Sequence, residues 1–235
     1  MLHMTEPDRP LALVTGASRG IGAAIAHAIA GTHRVLLGGR DQRALEDLAA
    51  TLPDAAPFAV DLADPDSLPA ATEHITTLDV LVHSAGVVTI APLHQTPLQV
   101  WRQTLDLNVI AVAELTRVLL PALRAARGQV VMINSGAGKR SSPNWGSYAA
   151  SKFALRGYAE ALLAEEEPHG VRVTTIYPGR TATDMQREVR EAEGADYDPD
   201  AYLRPETVAD AVVFALRTPR DGQLTELTVR PARYR

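Results

Sequence analysis

Seven short apolar runs recur along the chain, and stretches of helical periodicity fill the gaps between them. The runs are LALVT (11–15), RVLL (34–37), PFAV (57–60), DVLVH (79–83), GQVVMIN (128–134), VRVTTIY (171–177) and LTELTV (224–229). Most are apolar on both faces, as strands buried inside a parallel sheet must be. Helical patterns occupy 20–30, 41–51, 66–75, 97–126, 148–167 and 205–217. Strand–helix alternation on this scale predicts an α/β fold: a doubly wound, Rossmann-type parallel sheet of about seven strands with helices on both faces. Right-handed crossovers then bring the C-terminal ends of all strands to one edge, where ligands of such sheets bind.

The chain has 235 residues, with no internal repeat and no linker-like tract, so a single domain is expected. The least regular segment is 183–204, TDMQREVREAEGADYDPDAYLR, which is expected to be a lid over a site or a solvated surface loop. Cysteine is absent, which excludes disulfides, thiolate metal sites and a thiol nucleophile, and no metal site is expected. The net charge is −5 and the basic residues are scattered, so nucleic acid is not an expected partner. No apolar run reaches the length of a membrane span. The leading MLHMTEPDRP has no apolar core, so it is expected to be a frayed lead-in rather than an export signal, and a cytoplasmic location is expected.

The first strand runs straight into TGASRGIG (15–22), with Gly16, Gly20 and Gly22 between strand and helix. Glycine there permits positive φ and close backbone approach. The helix that follows aims free N–H groups and the positive end of its dipole at the loop, which favours a phosphate. The spacing is G-x-x-x-G-x-G, and no Gly-Lys-Ser/Thr ending follows. A dinucleotide site is the expectation. The second strand ends LLGGR, with glycine where an acid selective for a ribose 2′-hydroxyl would stand. Arg40 follows at once, and Arg19 lies in the glycine loop. Two guanidiniums can grip a 2′-phosphate, so NADP(H) is the expected cofactor. Solvated surface arginines are the alternative.

Tyr148 and Lys152 stand four apart in NWGSYAASKFALRGYAEALL (144–163). Alone they are compatible with an ordinary aromatic and an ordinary surface cation. Together with TGASRGIG, the Asp61-Leu62 pair, SAG (84–86), Asn108, Ser135, YAASK (148–152) and PGRTATDM (178–185), the chain resembles the classical short-chain dehydrogenases/reductases over nearly its whole length. Ser135 precedes Tyr148 by thirteen residues, as is usual there.

The resemblance implies a catalytic tetrad of Asn108, Ser135, Tyr148 and Lys152. It implies that Asp61 meets the adenine amino group beside Leu62, and that Ala85 and Gly86 pass close to the adenosine ribose. Ser18 and Ile21 belong to the glycine loop, while Pro178, Gly179, Thr181 and Thr183 lie where the nicotinamide carboxamide and pyrophosphate are held. Tyr148 and Lys152 count among the cofactor contacts, and Asn108 helps hold a water that links Lys152 to solvent. Free tyrosine has a pKa near ~10, and a nearby ammonium is expected to pull that of Tyr148 down. Ser135 can hydrogen-bond a substrate oxygen as charge builds on it.

The expected substrate pocket is lined by Val87, Val88, Gly136, Ala137, Arg140, Trp145, Gly179 and Met185, with residues of 186–204. HSAG replaces the family's usual N-N-A-G, which puts local bracing in doubt. His83 is expected to be a satisfied core histidine. The ending ELTVRPARYR resembles the subgroup whose last strand ends in Arg-Pro. The expected partners are a small carbonyl or alcohol substrate and further copies of the chain, as a homodimer or homotetramer through the 148–167 and 97–126 helices. A non-catalytic dinucleotide sensor and a sugar-nucleotide epimerase or dehydratase are the rival readings. The latter's relatives carry a longer C-terminal substrate domain.

Overall fold

The computed structural model describes residues 9–232. Of the lead-in expected at the N-terminus, residues 1–8 therefore fall outside the described residues.

Seven parallel strands form one sheet: β1 (Leu11–Thr15), β2 (Arg34–Gly39), β3 (Ala55–Ala59), β4 (Val80–His83), β5 (Gln129–Ile133), β6 (Arg172–Pro178) and β7 (Glu226–Val229). Their order across the sheet is β3-β2-β1-β4-β5-β6-β7. The doubly wound architecture expected from the alternation is present. The strand order reverses between β1 and β4, and sheets of this kind open a crevice at such a point.

Strand alternation divides the core in two. Leu13, Leu36, Leu81, Val130, Met132 and Val173 point to one face and pack with α5 (Ala111–Ala126) and α6 (Gly146–Glu166). Ala12, Val14, Val35, Leu37, Val82, Val131 and Ile176 point to the other and pack with α1 (Gly20–Ile29), α2 (Gln42–Ala49) and α8 (Pro205–Arg217). The helix α3 (Leu68–Thr72) is a short turn that buries Leu68 and Thr72.

The long helix expected over 97–126 is broken. Leu98–Leu105 forms α4, Asp106–Ile110 makes a π turn, and α5 follows. Hydrophobic periodicity cannot reveal a short π turn, since the helix direction continues through it.

The segment 183–204 is more regular than expected. Thr183 accepts a hydrogen bond from the Gln186 N–H and caps α7 (Asp184–Ala192). Gln186 and Val189 are buried, and Leu203 returns to pair with Thr181. Charge dominates this stretch in the sequence, yet few buried apolar anchors are enough to hold an amphipathic helix.

Candidate active site

Two cavities meet at the C-terminal edge of the sheet, and Tyr148, Ile21, Asn134, Thr183 and Met185 line both. The first has a volume of about 290 Å³. Gly16, Ser18, Arg19, Gly20, Ile21 and Gly22 line it, as do Arg40, Asp61, Leu62, Ala85, Gly86, Tyr148, Lys152 and Thr183. These are fourteen of the seventeen residues expected to hold a cofactor. Pro178, Gly179 and Thr181 line the second cavity instead.

Gly16 and Gly20 have φ of +66° and +59°, and a Cβ on Gly16 would lie 2.9 Å from the Ala85 backbone. No side chain caps α1, so its first N–H groups remain directed at the loop. Gly39 stands at the end of β2, and Arg40 beside it lines the cavity. Arg19 lies 3.7 Å from the Asp184 carboxylate, both groups well exposed. The donor set thus fits a dinucleotide: an uncapped helix end for the phosphates, cations at the second strand end, and a buried lysine at the far end.

Bracing that the HSAG variation put in doubt comes from Thr15. Its hydroxyl accepts from the N–H groups of Ser84 and Ala85 at 3.0 and 3.1 Å and donates to Val82 C=O. The sequence reading missed this residue because a lone threonine at a strand end carries no signal. His83 is buried, its Nε2 2.9 Å from Thr116 Oγ1, and burial lowers its pKa to about 3. It is a satisfied core histidine.

The second cavity, of about 520 Å³, brings together Val88, Gly136, Ala137, Arg140, Trp145, Gly179 and Met185 of the expected substrate pocket, with Ser135 and Tyr148 beside them. Val87 belongs to the first cavity rather than this one. Arg180, Gln186, Val189 and Glu193 complete its outer wall. Of these, Arg180 stood unremarked in the sequence. Gly179 needs its missing Cβ for a different neighbour: the Arg-Pro that follows β7 places Pro231 Cδ 2.9 Å from where that atom would lie.

Ser135, just past the end of β5, accepts from the Ala137 N–H and lines the second cavity together with Tyr148. Trp145 meets the Tyr148 ring edge-on at 5.7 Å between centroids. Lys152 is buried on the same helix, and its Nζ donates to Ile133 C=O at 3.0 Å. Asn134 accepts from the Ser135 N–H and donates to Lys152 C=O, tying the β5 end to α6. This buried brace was not anticipated.

One expectation needs correction. The ammonium of Lys152 lies 5.7 Å from the Tyr148 ring centroid and is turned to a carbonyl. Burial therefore dominates: it raises the pKa of Tyr148, which the Ser135 hydroxyl partly offsets, and lowers that of Lys152 to about 8. Asn108 lies in the π turn and is buried. Its Nδ2 donates to Val87 C=O and to Ser151 Oγ, and its Oδ1 accepts from the Val87 N–H. The side chain is a brace between the β4 loop and α6, and it lines neither cavity.

Among the described residues no helix is long and apolar enough to cross a membrane. Residues 10–194 match the family model described as short chain dehydrogenase. The chain is 36% identical over 244 residues to the glycine betaine reductase ATRR of Emericella nidulans, covering 96% of this chain but only 19% of that protein. It is 32% identical over 238 residues to an uncharacterized oxidoreductase of Staphylococcus epidermidis, covering 97% of this chain and all of that one. An alcohol dehydrogenase from the archaeon Thermococcus sibiricus, solved with 5-hydroxy-NADP, superimposes with a TM-score of 0.87 at 26% identity, covering 97% of this chain and 98% of the other. With the dinucleotide cradle, the serine–tyrosine–lysine cluster and these matches together, the chain belongs to the short-chain dehydrogenase/reductase family of oxidoreductases.

Proposed function

We propose that the protein is an NADP(H)-dependent oxidoreductase that interconverts a carbonyl compound and a secondary alcohol, with Tyr148 as general acid/base. The observation that carries this reading is Tyr148 at the junction of the two cavities, with Ser135 lining the second beside it and buried Lys152 one helical turn on. The archaeal alcohol dehydrogenase with its NADP derivative supports the cofactor and the reaction class.

The glycine loop and the α1 N-terminus would hold the pyrophosphate, Arg40 and Arg19 the 2′-phosphate, and Asp61 with Leu62 the adenine. Lys152 would meet the nicotinamide ribose, and Pro178, Gly179, Thr181 and Thr183 the nicotinamide end. When bound, the reduced nicotinamide supplies the hydride that a carbonyl carbon receives.

Two donors converge on the carbonyl oxygen. Ser135 stabilises the charge that develops there. Tyr148, whose burial raises its pKa further above neutrality, transfers its phenolic proton to that oxygen. A cationic Lys152 lowers the cost of the phenolate so formed, and Asn134 and Asn108 hold the lysine-bearing turn of α6 in place. In the oxidative direction the same phenolate accepts the alcohol proton.

The segment 183–204 walls the substrate cavity through Met185, Gln186, Val189 and Glu193, and we read it as a lid. Exposed Ile110 and Phe153 lie on the two helices expected to meet a second subunit. Light scattering that finds a monomer at micromolar concentration would remove the oligomer from this proposal.

The test is NADPH oxidation against a panel of ketones, aldehydes and 3-oxo esters. Turnover is expected, and Tyr148→Phe is expected to abolish it while NADPH still binds. Turnover that survives in Tyr148→Phe overturns the mechanism. Cofactor binding with no turnover of any carbonyl favours a dinucleotide sensor.

A further inference from the structure

The outer wall of the substrate cavity carries a cluster of charged side chains around Arg180. Arg180, just after β6, donates from Nη1 and Nη2 to the two oxygens of Glu193 at 2.9 and 2.6 Å. Arg190 donates to the same carboxylate at 2.8 Å. Two guanidiniums share one carboxylate, so the cluster keeps a net positive charge. Without Arg190 the Arg180–Glu193 pair would be neutral. Arg140 lines the cavity too and has no ion-pair partner among the described residues.

Arg180 is pinned rather than consumed. A guanidinium carries five N–H donors in a fixed plane, and Glu193 takes two of them. The rest remain available, with the plane's orientation already set. Its carbon lies 5.7 Å from the Trp145 ring centroid, and that ring lies 5.7 Å from the ring of Tyr148. Arg180 and Tyr148 thus flank the same indole ring. Gln186 adds a second unmet donor: the residue is 7% exposed, and its amide nitrogen has no acceptor among the described residues. A buried donor without an acceptor is costly, and here it stands in a wall with surplus positive charge.

We propose that the carbonyl substrate is a short oxo acid. Its carboxylate is held by Arg180, with Gln186 and Arg140 contributing, and its oxo group meets Ser135 and Tyr148. The inference rests on the reading of this site as a carbonyl reductase. The oxo carbon gains a hydride from the reduced nicotinamide, the oxo oxygen gains the Tyr148 proton, and the product is the hydroxy acid with its carboxylate unchanged.

The experiment is NADPH-oxidation kinetics with a ladder of oxo acids that differ in the spacing between oxo and carboxylate carbons, each paired with its primary amide. At least one acid is expected to exceed its amide in kcat/KM by roughly tenfold or more, as befits a charge-assisted contact. Arg180→Met is expected to bring that ratio close to one, and Arg180→Lys to restore part of it. Circular-dichroism melts and NADPH affinity report whether each variant is folded. Should Arg180→Met not fold, Arg190→Gln provides the same readout, because it removes the surplus charge while leaving Arg180 in place. Amides used as well as acids by the wild type, or an acid preference intact in the folded variants, overturns the proposal. Turnover of neutral carbonyls without a preference for acids sinks it while the oxidoreductase reading stands. NADPH binding with no carbonyl turned over removes both.

Discussion

Asn108 and Val87 exchange two hydrogen bonds, side chain to backbone: Asn108 Oδ1 accepts from the Val87 N–H and Nδ2 donates to the Val87 C=O, each at 2.9 Å. The pairing resembles one rung of a sheet ladder, made by an amide side chain. It fixes the loop after β4, which passes both cavities, to the π turn in the helix opposite. The second amide hydrogen reaches Ser151, whose hydroxyl donates to Tyr148 C=O. One buried side chain thus links the cofactor loop to the catalytic helix.

Asn108→Ala removes all three bonds and leaves the Val87 N–H and C=O without partners. The expected loss of stability is about 1–3 kcal/mol, read from urea unfolding. kcat is expected to fall as well, because the loop and α6 lose their shared anchor. Unchanged stability with unchanged kcat would show that the brace has no role.

The cofactor phosphate can be tested at Arg40, which lines the cavity beside Gly39. Arg40→Asp replaces a guanidinium by a carboxylate that can accept from a 2′-hydroxyl and repels a 2′-phosphate. The ratio of kcat/KM with NADPH to that with NADH is expected to drop by roughly tenfold or more. A ratio that does not move would show that Arg40 is a solvated surface residue.

Burial sets the pKa of Lys152 at about 8 in the free protein, so its ammonium is lost as pH rises through that value. The proposed mechanism uses that ammonium in reduction, and kcat/KM for a carbonyl is therefore expected to decline above pH about 8. Unfolding does not explain such a decline. The unfolded chain holds this proton more tightly than the native one, so from about 8 up to the ordinary lysine value this group makes folding more favourable as pH rises. A pH profile of kcat/KM, with circular dichroism at each pH, separates the two effects. Lys152→Arg, which stays charged, is expected to remove the alkaline limb at the expense of rate.

Glu166, at the end of α6, is 1% exposed and accepts two bonds from Arg124, at 2.7 and 2.8 Å, which lock α6 to α5. The Arg124 hydrogen bonds hold its carboxyl below the usual carboxylate range. The stability it contributes is therefore present above the unfolded value and lost as pH falls through the folded one. Glu166→Gln is expected to cost about 1–2 kcal/mol at neutral pH, since Arg124 is half-exposed and partly solvated. Melts at neutral pH and at pH about 4 should show the gap between variant and wild type narrowing in acid.

How much of this was legible in the chain differs from element to element. The alternation of apolar runs and helical periods determined the sheet, because strand and helix periods are local properties of side-chain spacing. TGASRGIG, Ser135, Tyr148 and Lys152 were legible for the same reason: the chemistry demands those residue types, and the motif keeps them a fixed number of residues apart. Tertiary structure alone decided the rest. The break at Asp106–Ile110 is a local change of backbone pairing that side-chain spacing does not encode. Thr15 and Asn134 became braces only when strands adjacent in space placed their polar tips against loops distant in sequence. Lys152 is turned to Ile133 C=O and desolvated, which no spacing rule can state. Arg180, Arg190 and Glu193 are scattered charges in the sequence and one cluster in the fold. Electrostatics depends on distance and burial, and those exist only once the chain has folded.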